Sequence, residues 1–437
     1  MFFQILRSLA LRTLLAAATL SLISGCCSSR YSSVCGGAPQ LISIHIIDRN
    51  GMSETIGNPD RLCEYASVNF LKPQPYKKVL RVYARDAFGN TKGIITSYYE
   101  NGQVQKYLEV TNNRAQGKYH EWYENGNQHL EATIIGGIAD ITPAAESSWV
   151  FDEAGQVWDE AGNLIATIPY CKGKQDGDTL YYHINGQIWK RCPFHEGKQC
   201  GYFQVYYKDG ALLQSTLYDD NQPSGPSFRY WQCGDIAAKE IYRCGKLIEG
   251  TYYDPKGNIA CTICDGSGQR AIFSATGVRE LHTYSNGIPE GDVRVLDDDG
   301  FVVKTWKVLN GEKHGPEIEY YPPTSPNEPL LPKLEINWYE GKIQGPVKTW
   351  YSNGIPESQK EMSENAKNGL YTAWYKDGSL MIVEEYDNDK LVKGEYYRRN
   401  ERLPISEIDL GDGVATIHNA DGNFVRKVSY KHGKPYE

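Results

Sequence analysis

The residues best suited to chemistry gather near position 261. Cys261-Thr-Ile-Cys264-Asp-Gly266-Ser-Gly268 is a C-x-x-C-x-G-x-G element, half of the thiolate set that a tetrahedral zinc ion needs. Cys233 and Cys244 would complete that set if they folded alongside. The plainer reading is a hairpin strand, because Gly268 also opens one of the glycine pairs described below. Gly266-Ser-Gly268-Gln-Arg-Ala271 fits a dinucleotide fingerprint on paper, but that fingerprint must open a helix and Phe273 to Gly277 continues as a hairpin. Neither His120-Glu121 nor His195-Glu196 has a second histidine four residues after the first, and the Gly-Lys pairs lack the Ser or Thr of a phosphate loop. No G-x-S-x-G elbow occurs. Asp297-Asp298-Asp299-Gly300 reads as a solvated turn rather than a calcium loop. The expectation is a chain that is not an enzyme, with no catalytic residue, no metal site beyond the weak Cys261/Cys264 candidate, and no cofactor.

Paired aromatics are the second candidate. They recur as Tyr98-Tyr99, Trp122-Tyr123, Tyr206-Tyr207, Tyr230-Trp231, Tyr320-Tyr321, Trp350-Tyr351 and Trp374-Tyr375. Exposed rings suit interfaces, so Tyr99, Trp122, Tyr207, Trp350 and Trp374 form a candidate binding surface for a peptide, glycan or lipid headgroup. The competing reading is a set of ladders that merely hold a sheet together.

The elements that must carry these rings follow from the glycines. Pairs nine residues apart occur at Gly93/Gly102, Gly117/Gly126, Gly177/Gly186, Gly201/Gly210, Gly225/Gly234, Gly345/Gly354 and Gly369/Gly378, and again at 268, 291 and 413. First glycines step by 24, as from 93 to 117 and from 177 to 201 to 225. The second glycine commonly follows Asn or Asp between apolar runs, which predicts a hairpin with a type I′ turn. A further turn of the form Gly-Lys-x-x-Gly, as in Gly173 to Gly177, joins one hairpin to the next. The expected fold is all-β, an elongated array of 24-residue β-hairpin repeats over 93–437 with an N-terminal β cap at 41–92. About 13 such units at roughly 10 Å each give a rod on the order of 125 Å long. The period breaks at 133–161, where Gly162 marks a degenerate turn, and a Pro-rich loop interrupts it at 322–332.

These residues resemble the variant MORN repeat, with its glycine, paired aromatics, Asn-Gly and second glycine turn. The resemblance implies a scaffold and little about activity. Some proteins of this kind carry an antitoxin label, and the MORN name implies direct membrane association.

Composition narrows the partners. Formal charge is −8, so no nucleic-acid partner is expected, and 43 glycines and 32 tyrosines against 4 methionines favour turn-rich β structure. Residues 1–25 carry Arg7 and Arg12, an apolar run from Thr13 to Ile23 too short to span a bilayer, and Ser24-Gly25 before Cys26. Leu22-Ile23-Ser24-Gly25-Cys26 resembles a bacterial lipobox, which implies acylation of Cys26 and an anchor in the cell envelope. Cys27 rather than Asp at the next position implies the outer membrane. A lipoprotein signal before such repeats looks most like the MORN-variant lipoproteins of chlamydia-like bacteria. Residues 26–40 read as a tether. Without Cys26, ten of the eleven cysteines remain, and disulfides are the default reading in an exported chain. The expected role is a lipid-anchored scaffold holding an unidentified envelope protein. Alternatives are a membrane-binding array, an antitoxin-like module or a zinc module.

Overall fold

A computed structural model describes residues 40–436, apart from Thr324, Pro326 and Asn327. The expected signal segment at 1–25, Cys26 and most of the expected tether lie outside the described residues. The described chain is one antiparallel meander of 35 strands in a single sheet. From Tyr76–Tyr83 onward the strands hydrogen-bond in sequence order, as Lys92–Tyr98 with Val104–Thr111, then with Arg114–Trp122, then with Gln128–Gly136. Neighbours in space are neighbours in sequence, so the sheet is open and elongated, in agreement with the repeat reading.

Each 24-residue unit supplies two strands and two kinds of turn, and the turns reverse the sequence expectation. At Asn101-Gly102 the flanking pair is Tyr98 with Val104, which encloses five residues. Gly102 N–H donates to the Tyr99 carbonyl at 2.9 Å, Gly102 has φ +90°, and Asn101 is not left-handed. This is a type I turn closed by a left-handed glycine, not the expected type I′.

The same correction holds for the second glycines at 126, 186, 210, 234, 354 and 378. Gly126, Gly186 and Gly210 have φ of 89°, 81° and 88°, and their N–H groups donate to the carbonyls of Tyr123, His183 and Tyr207. Gly234, Gly354 and Gly378 have φ of 94°, 81° and 84° and donate in the same way to Trp231, Tyr351 and Tyr375. None of the residues before them, Asn125, Asn185, Asp209, Cys233, Asn353 or Asp377, is left-handed, so no type I′ turn forms at these six glycines. The two-residue loops lie at the opposite edge: Thr111 pairs with Arg114 around Asn112 (φ 50°) and Asn113 (φ 59°). Lys172-Gly173, Glu196-Gly197 and Glu340-Gly341 likewise have both residues left-handed. A two-residue hairpin demands that conformation to match the strand twist, whereas a five-residue loop does not.

The first glycine of each pair has a different duty. Leu108 pairs with Tyr119 and Val110 with Ala115, so residues 116–118 bulge opposite Glu109. Gly117 sits in that bulge at φ +128°, where an added Cβ would run into the Glu109 side chain. Gly225, Gly345 and Gly369 occupy equivalent bulges. Gly177 and Gly201 are also left-handed, and a Cβ there would press on the rings of Pro169 and Pro193. Bulges sharpen the local twist, and their recurrence curls the sheet once per unit. Gly93 is the exception, lying buried in its strand with an ordinary φ.

The apolar interior is divided rather than continuous. One cluster joins Ile44, Ile46, Ile56, Leu62, Phe70, Val79, Tyr98 and Val104 at the N-terminal end. There Leu41–Asp48 lies between Ser53–Ile56 and Tyr76–Tyr83, and the helix Pro59–Tyr65 packs over it. Asn58 caps that helix by accepting from Asp60 N–H, with Pro59 in the first turn. The other clusters span 95–168, 238–284 and 373–415.

The two interruptions differ in kind. Residues 137–149, including the short helix Pro143–Glu146, fold over the sheet and set Trp149 edge-on against Tyr119 at 4.7 Å. Gly162 then closes a turn of the ordinary form with Asp159. The Pro-rich segment replaces a tight turn between Gly315–Tyr320 and Pro332–Tyr339, closed at its base by Tyr321 N–H to the Leu331 carbonyl at 2.9 Å.

Candidate interaction surface

The second ring of each aromatic pair ends in a hydroxyl that reaches one unit ahead. Tyr99 donates to the Trp122 carbonyl at 2.8 Å, Tyr123 to Trp158 at 3.0 Å and Tyr207 to Tyr230 at 3.0 Å. Tyr321 donates to Trp350, Tyr351 to Trp374 and Tyr375 to Tyr397, each at 2.7 Å. His183 stands in for tyrosine, with Nε2 3.1 Å from the Tyr206 carbonyl. The Asn of the Asn-Gly turns adds a parallel row, as Asn101 Nδ2 donates to the Glu124 carbonyl at 3.1 Å and Asn353 Nδ2 to Lys376 at 3.1 Å.

Of the five expected surface residues, Tyr99 and Tyr207 are therefore donors in the ladder. Trp122, Trp350 and Trp374 supply its carbonyl acceptors, and all five are half-buried. Burial, then the charge of Glu121, pushes the Tyr99 phenol up, while burial with Asp159 and Glu160 nearby takes Tyr123 to about 12. Both stay protonated and able to donate at neutral pH.

Buried carboxylates recur on the inner face, and sequence reasoning did not find them. Glu121 meets Lys106 at 3.1 Å, the Tyr119 hydroxyl at 2.7 Å and His129 Nδ1 at 3.1 Å, and Lys106 also pairs with Glu146. Glu240 accepts from Tyr242 at 2.9 Å, Tyr252 at 2.8 Å and Arg270 Nε at 2.8 Å. Glu384 repeats this with Tyr386 at 2.9 Å and Tyr396 at 2.6 Å, but no ion pair reaches it among the described residues. A signal was present: Glu-x-Tyr followed by Gly-x-Tyr occurs at 240–252 and again at 384–396. Each carboxylate accepts from its own strand and a neighbouring one, and Glu240 also from Arg270 three strands along, an arrangement that ties strands together.

The cysteine expectations need correction. Cys63, Cys171, Cys192, Cys200, Cys233, Cys244, Cys261 and Cys264 are all free thiols, so no disulfide forms among the described residues. Strand register gives a reason: Thr179 faces Cys192, Tyr252 faces Cys261 and Ser267 faces Cys264. Burial pushes the thiols of Cys192 and Cys261 up to about 11 each, which makes them poor nucleophiles. Cys261 and Cys264 lie on one strand, Ile259–Cys264, at an odd spacing that sends them to opposite faces, one buried and one exposed. Among the described residues no group of three or more His, Cys, Asp or Glu is placed to hold a metal, so the zinc reading has no ligand set. No described helix is long and apolar enough to cross a membrane.

Comparison with known proteins agrees with the repeat geometry at one place. Residues 92–112 match the family model of the variant MORN repeat. That span holds the first full hairpin of the array, with its bonded Tyr99 and the turn at Gly102. No curated protein matches the sequence. Among solved structures, TcdB2-TccC3 without its hypervariable C-terminal region aligns over 90% of this chain at 12% identity and a TM-score of 0.14. The Tc holotoxin pore of Photorhabdus luminescens aligns over 90% at 13% identity and a TM-score of 0.14. In both cases this chain spans only 24% of the other chain's length. A porin-like protein from Bacteroides uniformis is 12% identical over 56% of this chain and 94% of its own, with a TM-score of 0.15. Scores this low carry no argument about fold or role.

Proposed function

We propose that the protein is a lipid-anchored, non-enzymatic repeat scaffold of the bacterial envelope, in which the MORN-like array holds another protein at a distance from the membrane. The observation that carries this reading is the ladder of Tyr99, Tyr207, Tyr351 and Tyr375. Side chains that could have formed a reactive or binding site are used in joining one unit to the next, which builds a long, uniform rod. Lipidation of Cys26 supplies the anchor, in the outer membrane on the reading of Cys27. The Pro-rich segment is the natural contact point, because it is inserted between two strands that stay paired from Gly315 with Trp338 to Tyr320 with Pro332.

Two measurements test this. Labelled palmitate should enter the wild-type chain and not Cys26→Ser, and the Cys26→Ser chain should leave the membrane fraction. Crosslinking in intact cells should capture an envelope protein that is lost when 322–330 is replaced by the Ser-Asn-Gly turn found at 352–354, which keeps Leu331 in the place of Ile355. Capture that survives this replacement would move the contact to the repeat faces, and a wild-type chain found free of membranes would end the anchoring argument.

A further inference from the structure

Arg81 breaks the alternation that builds the N-terminal core. Along Tyr76–Tyr83, residues Val79, Arg81 and Tyr83 share one face, and Val79 belongs to the apolar cluster with Ile44, Ile46, Leu62 and Phe70. Arg81 pairs across the ladder with Ile44 on one side and Ile94 on the other, and only 8% of it is exposed. Its Nε and Nη2 are buried without a hydrogen-bond partner. The guanidinium carbon stands 4.5 Å from the centre of the Phe70 ring. The phenol of Tyr83 is near enough to hydrogen-bond the side chain, those of Tyr98 and Tyr107 lie close by, and no carboxylate forms an ion pair with it among the described residues. Enclosing a cation this way is costly unless a counter-charge arrives.

Space for one exists. Arg81 lines a half-open cavity of about 520 Å³ whose other walls include Leu41, Leu62, Tyr65, Val68 and Phe70. That volume lies within the range of small-molecule sites, which are mostly apolar with few polar groups. Residues 1–47 contain no Asp or Glu to serve as the missing anion. Asp48 Oδ1 is itself taken up by the N–H groups of Asn50 and Met52.

We propose that this cavity binds an amphiphile with an apolar tail and a carboxylate head, the head pairing with Arg81 and the tail lying along Leu41, Leu62, Val68 and Phe70. The planar guanidinium fork matches a carboxylate. No other Lys or Arg lines the cavity, so its charge balances a monoanion and leaves a dianionic phosphate head unneutralised. The site is separate from the repeat ladder and does not depend on the scaffold role.

The test is calorimetric titration of the detergent-free full chain carrying Cys26→Ser with decanoate, decanol and acetate. Decanoate should saturate one site per chain, with decanol and acetate each weaker by about 10-fold or more. Arg81→Met should weaken decanoate by about 10- to 100-fold while leaving decanol nearly unchanged. Without ligand, Arg81→Met should unfold at a higher temperature than the parent, because it removes an unpaired buried charge. If Arg81→Met does not fold, Arg81→Lys keeps the charge without the fork and should still weaken decanoate. Decanoate binding that is absent, non-saturable, matched by decanol or acetate, or unchanged in the Arg81 variants would overturn the proposal.

Discussion

Glu121 shows what a carboxylate requires inside a single sheet. Burial pushes its pKa up, but the hydrogen bond with His129, the Lys106 charge and the Tyr119 hydroxyl outweigh it and hold the group at about 2. The folded value lies below the ordinary 4.5, so the stabilisation is complete above about pH 4.5 and is lost as pH falls toward 2. Its size near neutrality is on the order of 3 kcal/mol. Glu146 behaves oppositely: burial raises its pKa despite Lys106, and protonating it relieves the fold. Glu121→Gln should therefore lower the urea midpoint at pH 7, read by circular dichroism, and the gap from wild type should narrow as pH falls from about 4.5 toward 2. A gap that stays constant across that range rejects this account. The sequence showed His120-Glu121 only as half of a metalloprotease motif. Its real partners are Lys106 and His129 on the two neighbouring strands and Tyr119 two residues back on its own, and no local pattern reports the contacts across strands.

At the level of turns and strands, the period, the hairpins and the aromatic pairing were all readable from residue types. Turn conformation was not. Asn-Gly favours both a type I′ turn and the last position of a longer loop, and only the flanking pairs, Tyr98 with Val104 or Thr111 with Arg114, separate the two. One consequence falls at Leu410, which holds φ 50° in a two-residue turn with its side chain 81% exposed. A leucine gains nothing there and is strained, so Leu410→Asn should stabilise the C-terminal hairpins by about 1 kcal/mol, seen as a higher thermal midpoint. Gly117→Ala should act in the other direction, costing about 2 kcal/mol or more through strain and the collision with Glu109, measured the same way. Equal midpoints for Gly117→Ala and wild type would mean that the bulge tolerates a side chain. Disulfides were misjudged for a related reason: cysteine count reflects compartment, whereas pairing depends on register, which places no cysteine opposite another in the ladder pairs at Cys192, Cys261 and Cys264.

Across the whole molecule, stability is a sum of neighbouring contacts rather than one shared core. Between the cluster ending at Tyr284 and the one beginning at Ala373, only scattered side chains such as Val293, Val347 and Tyr351 are buried. Amide exchange should be fastest in that stretch and slowest in 95–168, and uniform protection along the chain would contradict it. Removing one complete unit, residues 201–224, should preserve the β spectrum and shorten the particle by about 10 Å in solution scattering. Deleting a single strand instead reverses the chain direction at the junction and should abolish folding beyond it. The direction of the strands has a mechanical consequence as well. They lie across the rod, so their hydrogen bonds point along its length. Tension between the two ends therefore loads the rungs one after another instead of shearing many together. The rod should yield by peeling, hairpin by hairpin from the weakest stretch, and release slack under loads that a sheared sheet of equal size would resist.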